Sequence, residues 1–451
     1  MNLSNLLNEI SSLVWGPITL TLLLGVGVYL TFGLKAFPIT NIAYGFKSLF
    51  IKEGKATDGD ISSFQSLMTA LSATVGTGNI AGVATAIFLG GPGAIFWMWI
   101  TALFGMATKY AEAFLAIYFR ERNSNNNIVG GPMYYIKNGL DKKYHFLAYL
   151  FAIFGMTAAF GIGNGVQVNS VSQVINIEFG ISTTVIGFVT ALLVGLVILG
   201  GIKSIGNIAS KLVPTMSLLY IFGGLIIILN NYMLIPDVFS LIVNSAFTGT
   251  AAAGGFAGAT VLSAIRFGVS RGVFSNEAGL GSSPIAHAAA QTNSPIKQGS
   301  ISMLEPLIDT LIVCSITAFV ILISGEWLSG INGAALTTSA FNQGLPFFGK
   351  YIVIFGLVLF AFSTIIGWSY YGEKCAEFIF GEKIVLYYRI LWIIIIPLGA
   401  VIKLNLVWLI ADIMNGLMAL PNLIALILLS PFIFSKTKEL LNNSKELKNE
   451  D

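Results

Sequence analysis

Apolar stretches of membrane-spanning length recur along this sequence and constrain its fold more than any other feature. A helix needs about 20 mostly apolar residues to cross a bilayer, and eleven such stretches follow one another. Only 10% of the 451 residues are charged and 55% are hydrophobic, whereas about a quarter of the residues in a soluble domain are charged. The sequence therefore predicts an all-α polytopic membrane protein. The predicted spans are 14–34, 63–89, 93–119, 146–176, 183–202, 207–230, 239–268, 300–324, 346–378, 384–402 and 405–434.

The basic residues are distributed unevenly between the connections on the two sides of the membrane. With eleven spans, one set of alternate connections holds every Lys and Arg except Lys109, Lys350 and Lys403. Cytoplasmic loops are enriched in these residues, so the N-terminus is predicted outside and the C-terminus in the cytoplasm of a multi-pass cell-membrane protein. The apolar spans make the lipid bilayer an expected partner. Nucleic acid is not expected, because the basic residues form no concentrated stripe. The oligomeric state is left open.

Two of the predicted spans contain glycines near their centre. Gly76 and Gly78 flank Thr77 in the second span, and Gly254–Gly255 lie in the seventh. Each Gly costs a helix about 1 kcal/mol relative to Ala, so both helices are expected to open there. Opened backbone is tolerated within a membrane only where protein or a cavity surrounds it. Its amides then suit a carboxylate and its carbonyls a cation, although close helix packing is the alternative for each glycine pair.

The positions of the two interruptions indicate a class of protein. They lie five spans apart. Because five is an odd number of crossings, the second group of helices has the opposite orientation in the membrane to the first. Paired interrupted helices at equivalent positions of two halves are typical of inverted-repeat transporters with a central site. We therefore expect a membrane transporter.

Two long segments resemble the signatures of the alanine or glycine:cation symporter family. They are GTGNIAGVATA (Gly76–Ala86) and RGVFSNEAGLGSSPIAHAAA (Arg271–Ala290), and the resemblance extends over essentially the whole chain. It implies a LeuT-like fold with one extra N-terminal helix and a 5+5 inverted repeat, in which the first helix of each repeat is broken. The predicted parts are an outer N-terminus with the extra helix (1–34), a cytoplasmic connection (35–62), two repeats (63–230 and 231–434) and a cytoplasmic tail (435–451).

The resemblance also implies a binding site at the first interruption. TVGTGN (Thr74–Asn79) is similar to the broken-helix pattern of the wider superfamily. It places the backbone amides of Thr77 and Gly78 at the substrate carboxylate, and Asn79 either bracing the break or contacting substrate. The implied sodium ligands are the carbonyls of Ser72, Val75 and Phe360 and the hydroxyls of Ser363 and Thr364, and neutral oxygens of this kind suit a hard monovalent cation.

Further polar and aromatic residues are candidates for the same site. Asn164 and Gln167 share one face of the fourth span, and holding helices together is the alternative for these two polar side chains. Trp368 is a candidate pocket wall, with interfacial or core packing as its alternative. A second group, on the helix thought to be interrupted at Gly254–Gly255, combines little bulk with an aromatic ring that limits pocket volume. It comprises Ala253, Gly254, Gly255 and Phe256.

Charged residues within or beside the spans have several interpretations. Arg271 and Glu277 are candidates for a gate at the cytoplasmic end of the site. Lys109 and Glu112, three residues apart, are expected to neutralise each other. Asp309 is a candidate cation or proton ligand, with a hydrogen-bonded structural role equally open.

Together these features predict a secondary active symporter that couples inward sodium movement to uptake of small neutral amino acids, alanine and glycine, by alternating access. A proton-coupled symporter of the same fold is the alternative. An intramembrane enzyme using Glu305, Asp309 and Asp412 is a more remote one, because no nucleophile arrangement or metal-ligand cluster accompanies these acids. We expect no cofactor, and no metal other than sodium as coupling ion.

Overall fold

The computed structural model describes residues 3–51, 58–402 and 405–449, and this part of the chain is predominantly helical. It contains eight helices long and apolar enough to cross a membrane, or nine when the bent pair Ser63–Thr74 and Gly78–Gly90 is counted as one span. The prediction of a polytopic helical membrane protein is confirmed.

The helices are numbered in chain order. The first half has α1 (Leu3–Val14), α2 (Pro17–Gly33), α3 (Phe37–Thr40), α4 (Ile42–Phe50), α5 (Ser63–Thr74), α6 (Val83–Gly90), α7 (Gly93–Tyr118), α8 (Pro132–Gly139), α9 (His145–Ala158), α10 (Val166–Phe179), α11 (Thr183–Ile198) and α12 (Gly201–Asn230). The second half has α13 (Ile235–Thr248), α14 (Val261–Asn276), α15 (Pro284–Ala288), α16 (Pro295–Ser302), α17 (Leu304–Pro306), α18 (Ser315–Ser324), α19 (Gly333–Gly344), α20 (Gly349–Phe380), α21 (Ile384–Val401) and α22 (Asn405–Asn449).

Shorter elements connect these helices. Wide π-helical turns directly precede α6, α10 and α18, at Gly78–Gly82, Ala159–Gly165 and Leu307–Cys314. Single 3₁₀ turns occupy Lys142–Tyr144, Tyr232–Leu234 and Glu326–Leu328. Strands β1 (Glu121–Arg122) and β2 (Ile128–Val129) form one small antiparallel hairpin, with Glu121 opposite Val129.

The first interruption lies where the glycines predicted it. Helix α5 starts with a capping box between Ser62 and Gln65 and stops at Thr74. The chain then turns by 51° before the helix resumes at Gly78. Every residue from Val75 to Asn79 is buried, so protein surrounds the opened backbone, as a membrane requires.

The second predicted interruption, at Gly254–Gly255, requires a correction. Helix α13 does end at Thr248, but residues 249–260 form an irregular hairpin in which Ala253 pairs with Phe256. Gly254 and Gly255 are exposed and lie against the turn that contains Ser329. The small-residue run is apolar in composition, yet it offers little bulk for a membrane helix to pack.

The interruption of the second half that is enclosed by protein lies instead at 277–283, between α14 and α15. Glu277 adopts φ +56°, and Gly279 and Gly281 adopt φ +88° and +79°, conformations that an α-helix cannot contain and that glycine accepts at little cost. All seven residues are buried. The segment that resembled a family signature therefore contains this buried non-helical break between α14 and α15.

Two contacts join the connection before α5 to the second half of the chain: Ile61 bridges to Ala290, and Lys297 donates to the Ile51 carbonyl. Arg266, on α14, instead lines a groove with Ser12 of α1 and Pro17 at the start of α2. Arg266 and Lys297, which the distribution of basic residues assigned to the same side of the membrane, therefore lie against different parts of the chain.

Candidate functional site

The first interruption is braced by one asparagine side chain. Asn79 Oδ1 accepts a hydrogen bond from the Gly76 amide at 2.9 Å, and its Nδ2 donates to Asp309 Oδ1 at 2.7 Å and to the Asp309 carbonyl at 3.2 Å. Asp309 Oδ2 accepts further bonds from Ser275 and Thr310. The position of Asn79 thus ties the break to α14 and to the π-helical turn before α18.

Several backbone groups at this interruption have no hydrogen-bond partner within the described part of the chain. They are the carbonyls of Ser72 and Val75 and the amides of Thr77 and Gly78. The Thr77 hydroxyl is also buried without a partner. Buried polar groups are normally paired, so the interruption offers donors for an anion and acceptors for a cation.

The predicted sodium ligands lie where α5 meets α20. A Cβ atom on Gly76 would stand 2.6 Å from Thr364 Oγ1, and one on Gly367 would stand 2.7 Å from Ser72 Oγ. The Ser363 and Thr364 hydroxyls both donate to the Phe360 carbonyl, at 2.8 and 3.0 Å. The contact between the two helices therefore brings oxygens of both together in one buried region.

Asn164 and Gln167 end in different places. Asn164 Nδ2 donates to the Trp392 carbonyl on α21. Gln167 Nε2 donates to the Ile162 carbonyl, and its Oε1 faces Gly76 at 3.6 Å from the Cβ position. Both side-chain carbonyl oxygens are buried without a donor among the residues that the structure describes, and Gln167 is the one that reaches the first interruption.

Trp368 connects this region with the second interruption. Its ring packs against Gly163, where any Cβ atom would overlap it. Its Nε1 donates to Glu277 Oε1 at 2.9 Å, while Glu277 Oε2 accepts from Ser282 at 2.5 Å. Trp368 is 1% exposed, so a single aromatic side chain spans the space between the π-helical turn before α10 and the second break.

The first interruption also lies directly against the last turn of α14, just before the second interruption. A Cβ atom on Gly78 would stand 3.3 Å from the Phe274 ring and 3.5 Å from the Ser275 Cα. Neither residue was predicted from the sequence to lie at the site. The signal available was the polar run of Ser275, Asn276 and Glu277 followed by two glycines, which is unusual inside an apolar protein.

Four of the predicted substrate residues lie elsewhere. Ala253, Gly254 and Gly255 occupy the exposed hairpin, and Phe256 is buried against Trp327 with their rings 5.3 Å apart. The structure does not bring these residues to the first interruption.

The predicted gate and one predicted ion pair also differ from the structure. Within the described residues Arg271 makes no ion pair with Glu277; its guanidinium lies 5.7 Å from the centre of the Phe274 ring. Lys109 pairs with Glu305, at 2.8 Å, rather than with Glu112. The spacing rule used for Lys109 considered only neighbours on its own helix.

A membrane helix interrupted in a buried region, with unpaired amides and carbonyls at the break, is typical of a membrane transporter of the broken-helix class. Comparison with known proteins gives the family. The sodium:alanine symporter family matches residues 1–451, and the chain belongs to it. This confirms the resemblance seen in the two signature segments and makes the protein a member of a transporter family rather than of an enzyme family.

Relatives and solved structures agree with this assignment. The sodium/alanine symporter AgcS of Methanococcus maripaludis is 51% identical over 445 residues, covering 97% of each chain. A probable sodium/glutamine symporter of Bacillus subtilis is 39% identical, covering 98% of this chain and 92% of that one. A Na⁺-coupled sialic acid symporter of known structure is 13% identical but shares the fold, with a TM-score of 0.54 over 86% of this chain and 82% of that one.

Proposed function

We propose that this protein is a secondary symporter that uses inward sodium movement to take up small neutral amino acids, with alanine and glycine as its substrates, by alternating access. The observation that carries the proposal is the set of unpaired groups at one buried break, with amides on one side of Gly76 and carbonyls on the other. A zwitterion and a sodium ion need those two kinds of partner. The name of the relative that is 51% identical supports alanine and sodium.

The substrate binds at the second half of the break. Its carboxylate accepts hydrogen bonds from the Thr77 and Gly78 amides, beside the unpaired Thr77 hydroxyl. Its ammonium group meets Gln167 Oε1, the buried acceptor that faces Gly76. The rings of Trp368 and Phe274 leave room for a small side chain only, and Asn79 supports the site without contacting substrate.

Sodium binds at the first half of the break. Its ligands are the carbonyl oxygens of Ser72, Val75 and Phe360 and the hydroxyl oxygens of Ser363 and Thr364, a neutral set suited to a hard monovalent cation. Ion and substrate need no direct contact, because both order the same turn around Gly76. Each ligand then lowers the cost of ordering the break for the other, which gives positive coupling.

The driving force is sufficient for concentrative uptake. One inward Na⁺ gains about 2.3 kcal/mol per 100 mV, and a tenfold sodium gradient adds about 1.4 kcal/mol. A total of about 3.7 kcal/mol concentrates a zwitterion several hundredfold.

The proposed topology keeps eleven crossings but moves the seventh. Helices α14 and α15, joined by the second interruption, replace span 239–268, and α13 lies at the outer end. The extra N-terminal helix (1–34) and the inverted repeats (63–230 and 231–434) are retained, with the N-terminus outside and the tail (435–451) in the cytoplasm. Support comes from the basic residues around the end that holds Arg120, Lys203, Lys374, Lys383 and Arg389, since cytoplasmic loops are rich in Lys and Arg.

Uptake of labelled alanine into proteoliposomes tests the proposal. We expect accumulation when sodium is outside and none when choline replaces it. Unlabelled glycine should compete with labelled alanine, whereas unlabelled glutamine should not. This result would distinguish the chain from the relative that is named a probable sodium/glutamine symporter. Accumulation driven only by a pH gradient would replace sodium with proton coupling, and absence of any concentrative uptake would remove the proposal.

A further inference from the structure

A cavity of about 750 Å³ lies between the end of α2 and the middle of α22. Residues within 33–41 form one wall, and residues within 434–442 form the other. The two walls meet where a Cβ atom on Gly33 would overlap the ring of Phe434. The lining residues differ from those of the proposed substrate and sodium sites, so a ligand of this cavity would be a separate one.

The polar part of the cavity is positively charged. Its charged lining residues in the described part of the chain are Lys35 and Lys438, and both are exposed. Neither lysine forms a hydrogen bond or an ion pair with another described residue. Ser435 and Asn442 add a hydroxyl and an amide to the same lining. Two ammonium groups with neutral donors beside them fit an anionic group such as a phosphate.

Lys35 has an unusual backbone conformation. It follows α2 at φ +53°, and Ala36 comes next at φ +56°. The Lys35 amide donates to the Phe32 carbonyl and the Ala36 amide to the Thr31 carbonyl, which ends the helix in a left-handed turn. Glycine is the usual residue at such a helix end, and a residue with a Cβ atom is disfavoured there. Because strained residues are concentrated at binding sites, the strain points to a role for the lysine side chain.

The rest of the lining is apolar and lies near the end of two membrane spans. Leu34, Phe37 and Phe434 form this part. Lys35 comes two residues after the end of α2, and Lys438 comes four residues after the last predicted span, 405–434. Lysines just beyond an apolar span extend to the level of the lipid headgroups. The cavity therefore combines a positive part at the headgroup level with an apolar part beside it.

We propose that the cavity binds an anionic phospholipid of the cytoplasmic leaflet, with its phosphate between Lys35 and Lys438 and an acyl chain against Phe37 and Phe434. Basic pockets between membrane helices on the cytoplasmic side bind anionic lipid headgroups. A free phosphate ion is too small to fill the cavity, because one liquid water takes up about 30 Å³ and the cavity measures about 750 Å³. The proposed topology enters only in the choice of leaflet, and the inference does not depend on which solute is transported.

Lipid titration of the full chain in a neutral detergent tests the proposal. After delipidation, dioleoylphosphatidylglycerol, dioleoylphosphatidylcholine and inorganic phosphate are added separately, and binding is followed by native mass spectrometry and by the thermal unfolding midpoint, which rises when a ligand binds only the folded chain. The two lysines should make phosphatidylglycerol bind roughly 30-fold more tightly than phosphatidylcholine. Equal affinity for the two lipids would overturn the proposal, and so would a rise in the midpoint with phosphate as large as that with phosphatidylglycerol. Neither result bears on sodium symport, since no transport is measured.

Variants assign the binding to this cavity. Lys35→Gln combined with Lys438→Gln should reduce the affinity for phosphatidylglycerol to that for phosphatidylcholine. The matched control is Lys142→Gln combined with Lys211→Gln, which removes the same charge from two exposed positions outside the cavity and should keep the wild-type preference. A wild-type preference in the variant that lacks Lys35 and Lys438 would refute the assignment.

Lys35→Gly separates lipid binding from a structural role of the lysine. Glycine adopts φ +53° at little cost, so the variant without lipid should unfold at the same temperature as the wild type or at a higher one. The rise in the midpoint caused by phosphatidylglycerol should be smaller than in the wild type, because one of the two charges is gone. A lower midpoint without lipid, together with a wild-type rise on addition of phosphatidylglycerol, would give Lys35 a structural role only and remove it from the lipid site.

Discussion

Replacing Gly76 with alanine would place a methyl group 2.6 Å from Thr364 Oγ1. That is about 1 Å closer than the ~3.5–4.0 Å at which heavy atoms attract. Overpacking of this kind costs about 1–3 kcal/mol. Because the displaced hydroxyl is a proposed sodium ligand, the same cost reduces sodium affinity by roughly 5- to 150-fold.

The assay for Gly76→Ala is alanine uptake as a function of external sodium, together with thermal unfolding followed with and without sodium. The matched control is Gly82→Ala, on the same interrupted helix, where a Cβ atom would meet nothing within 4 Å. That variant should retain the wild-type sodium dependence and equal or higher stability, since alanine favours a helix over glycine.

A double variant separates the steric effect from the loss of the ligand. Gly76→Ala combined with Thr364→Ala removes the atom that the methyl group meets, so thermal stability should recover relative to Gly76→Ala alone. Sodium affinity should stay low, because the hydroxyl is gone. A double variant as unstable as the single one, or a Gly76→Ala protein with unchanged sodium dependence, would refute the close approach of α5 and α20 as the basis of the ion site.

Other variants probe the rest of the molecule. Asn79→Ala leaves a buried amide and a buried carboxylate each short of one partner, at about 1–3 kcal/mol apiece, and should abolish uptake. Asn244→Ala, at an exposed position, should be neutral in the same uptake and unfolding measurements. An active Asn79→Ala protein would contradict the bracing role. Glu305→Gln should lower the free energy of unfolding by about 3–5 kcal/mol. Glu439→Gln, which removes a surface ion pair, should lower it by less than about 1 kcal/mol. Equal unfolding midpoints for the two variants would argue against a buried ion pair at Glu305. Gly254→Ala, at φ +57°, should lower the free energy of unfolding by about 1–2 kcal/mol but leave the half-saturating alanine concentration unchanged. A shift in that concentration would indicate that the hairpin contributes to the substrate site.

The features that the sequence predicts correctly depend on short-range signals. Membrane helices follow from hydropathy over about 20 residues, and the first interruption follows from Gly76 and Gly78 within one apolar run. The contact of that break with Thr364 required the family resemblance, since nothing local links residues so far apart.

The features that it misses depend on tertiary structure. Hydropathy extended the seventh span to residue 268 because a run of alanine and glycine is apolar whether it forms a helix or a hairpin. The true interruption at 277–283 is polar, and only the surrounding protein makes such a segment tolerable in a membrane. Likewise, the partner of Lys109 lies 196 residues away, beyond any rule based on helical spacing.

Arg120 joins the two segments that flank α5 and α15. Its guanidinium donates to the carbonyls of Asp58, Ala288, Ala290 and Thr292, and Ile61 bridges to Ala290 beside it. One side chain thereby fastens the segment that leads into α5 to the segment that leaves α15. Backbone hydrogen bonds of Asp60 and Ile61 with Ala289 and Gln291 join the same two segments. If the proposed alternating access moves these helices, α5 and α15 are therefore expected to move as one unit.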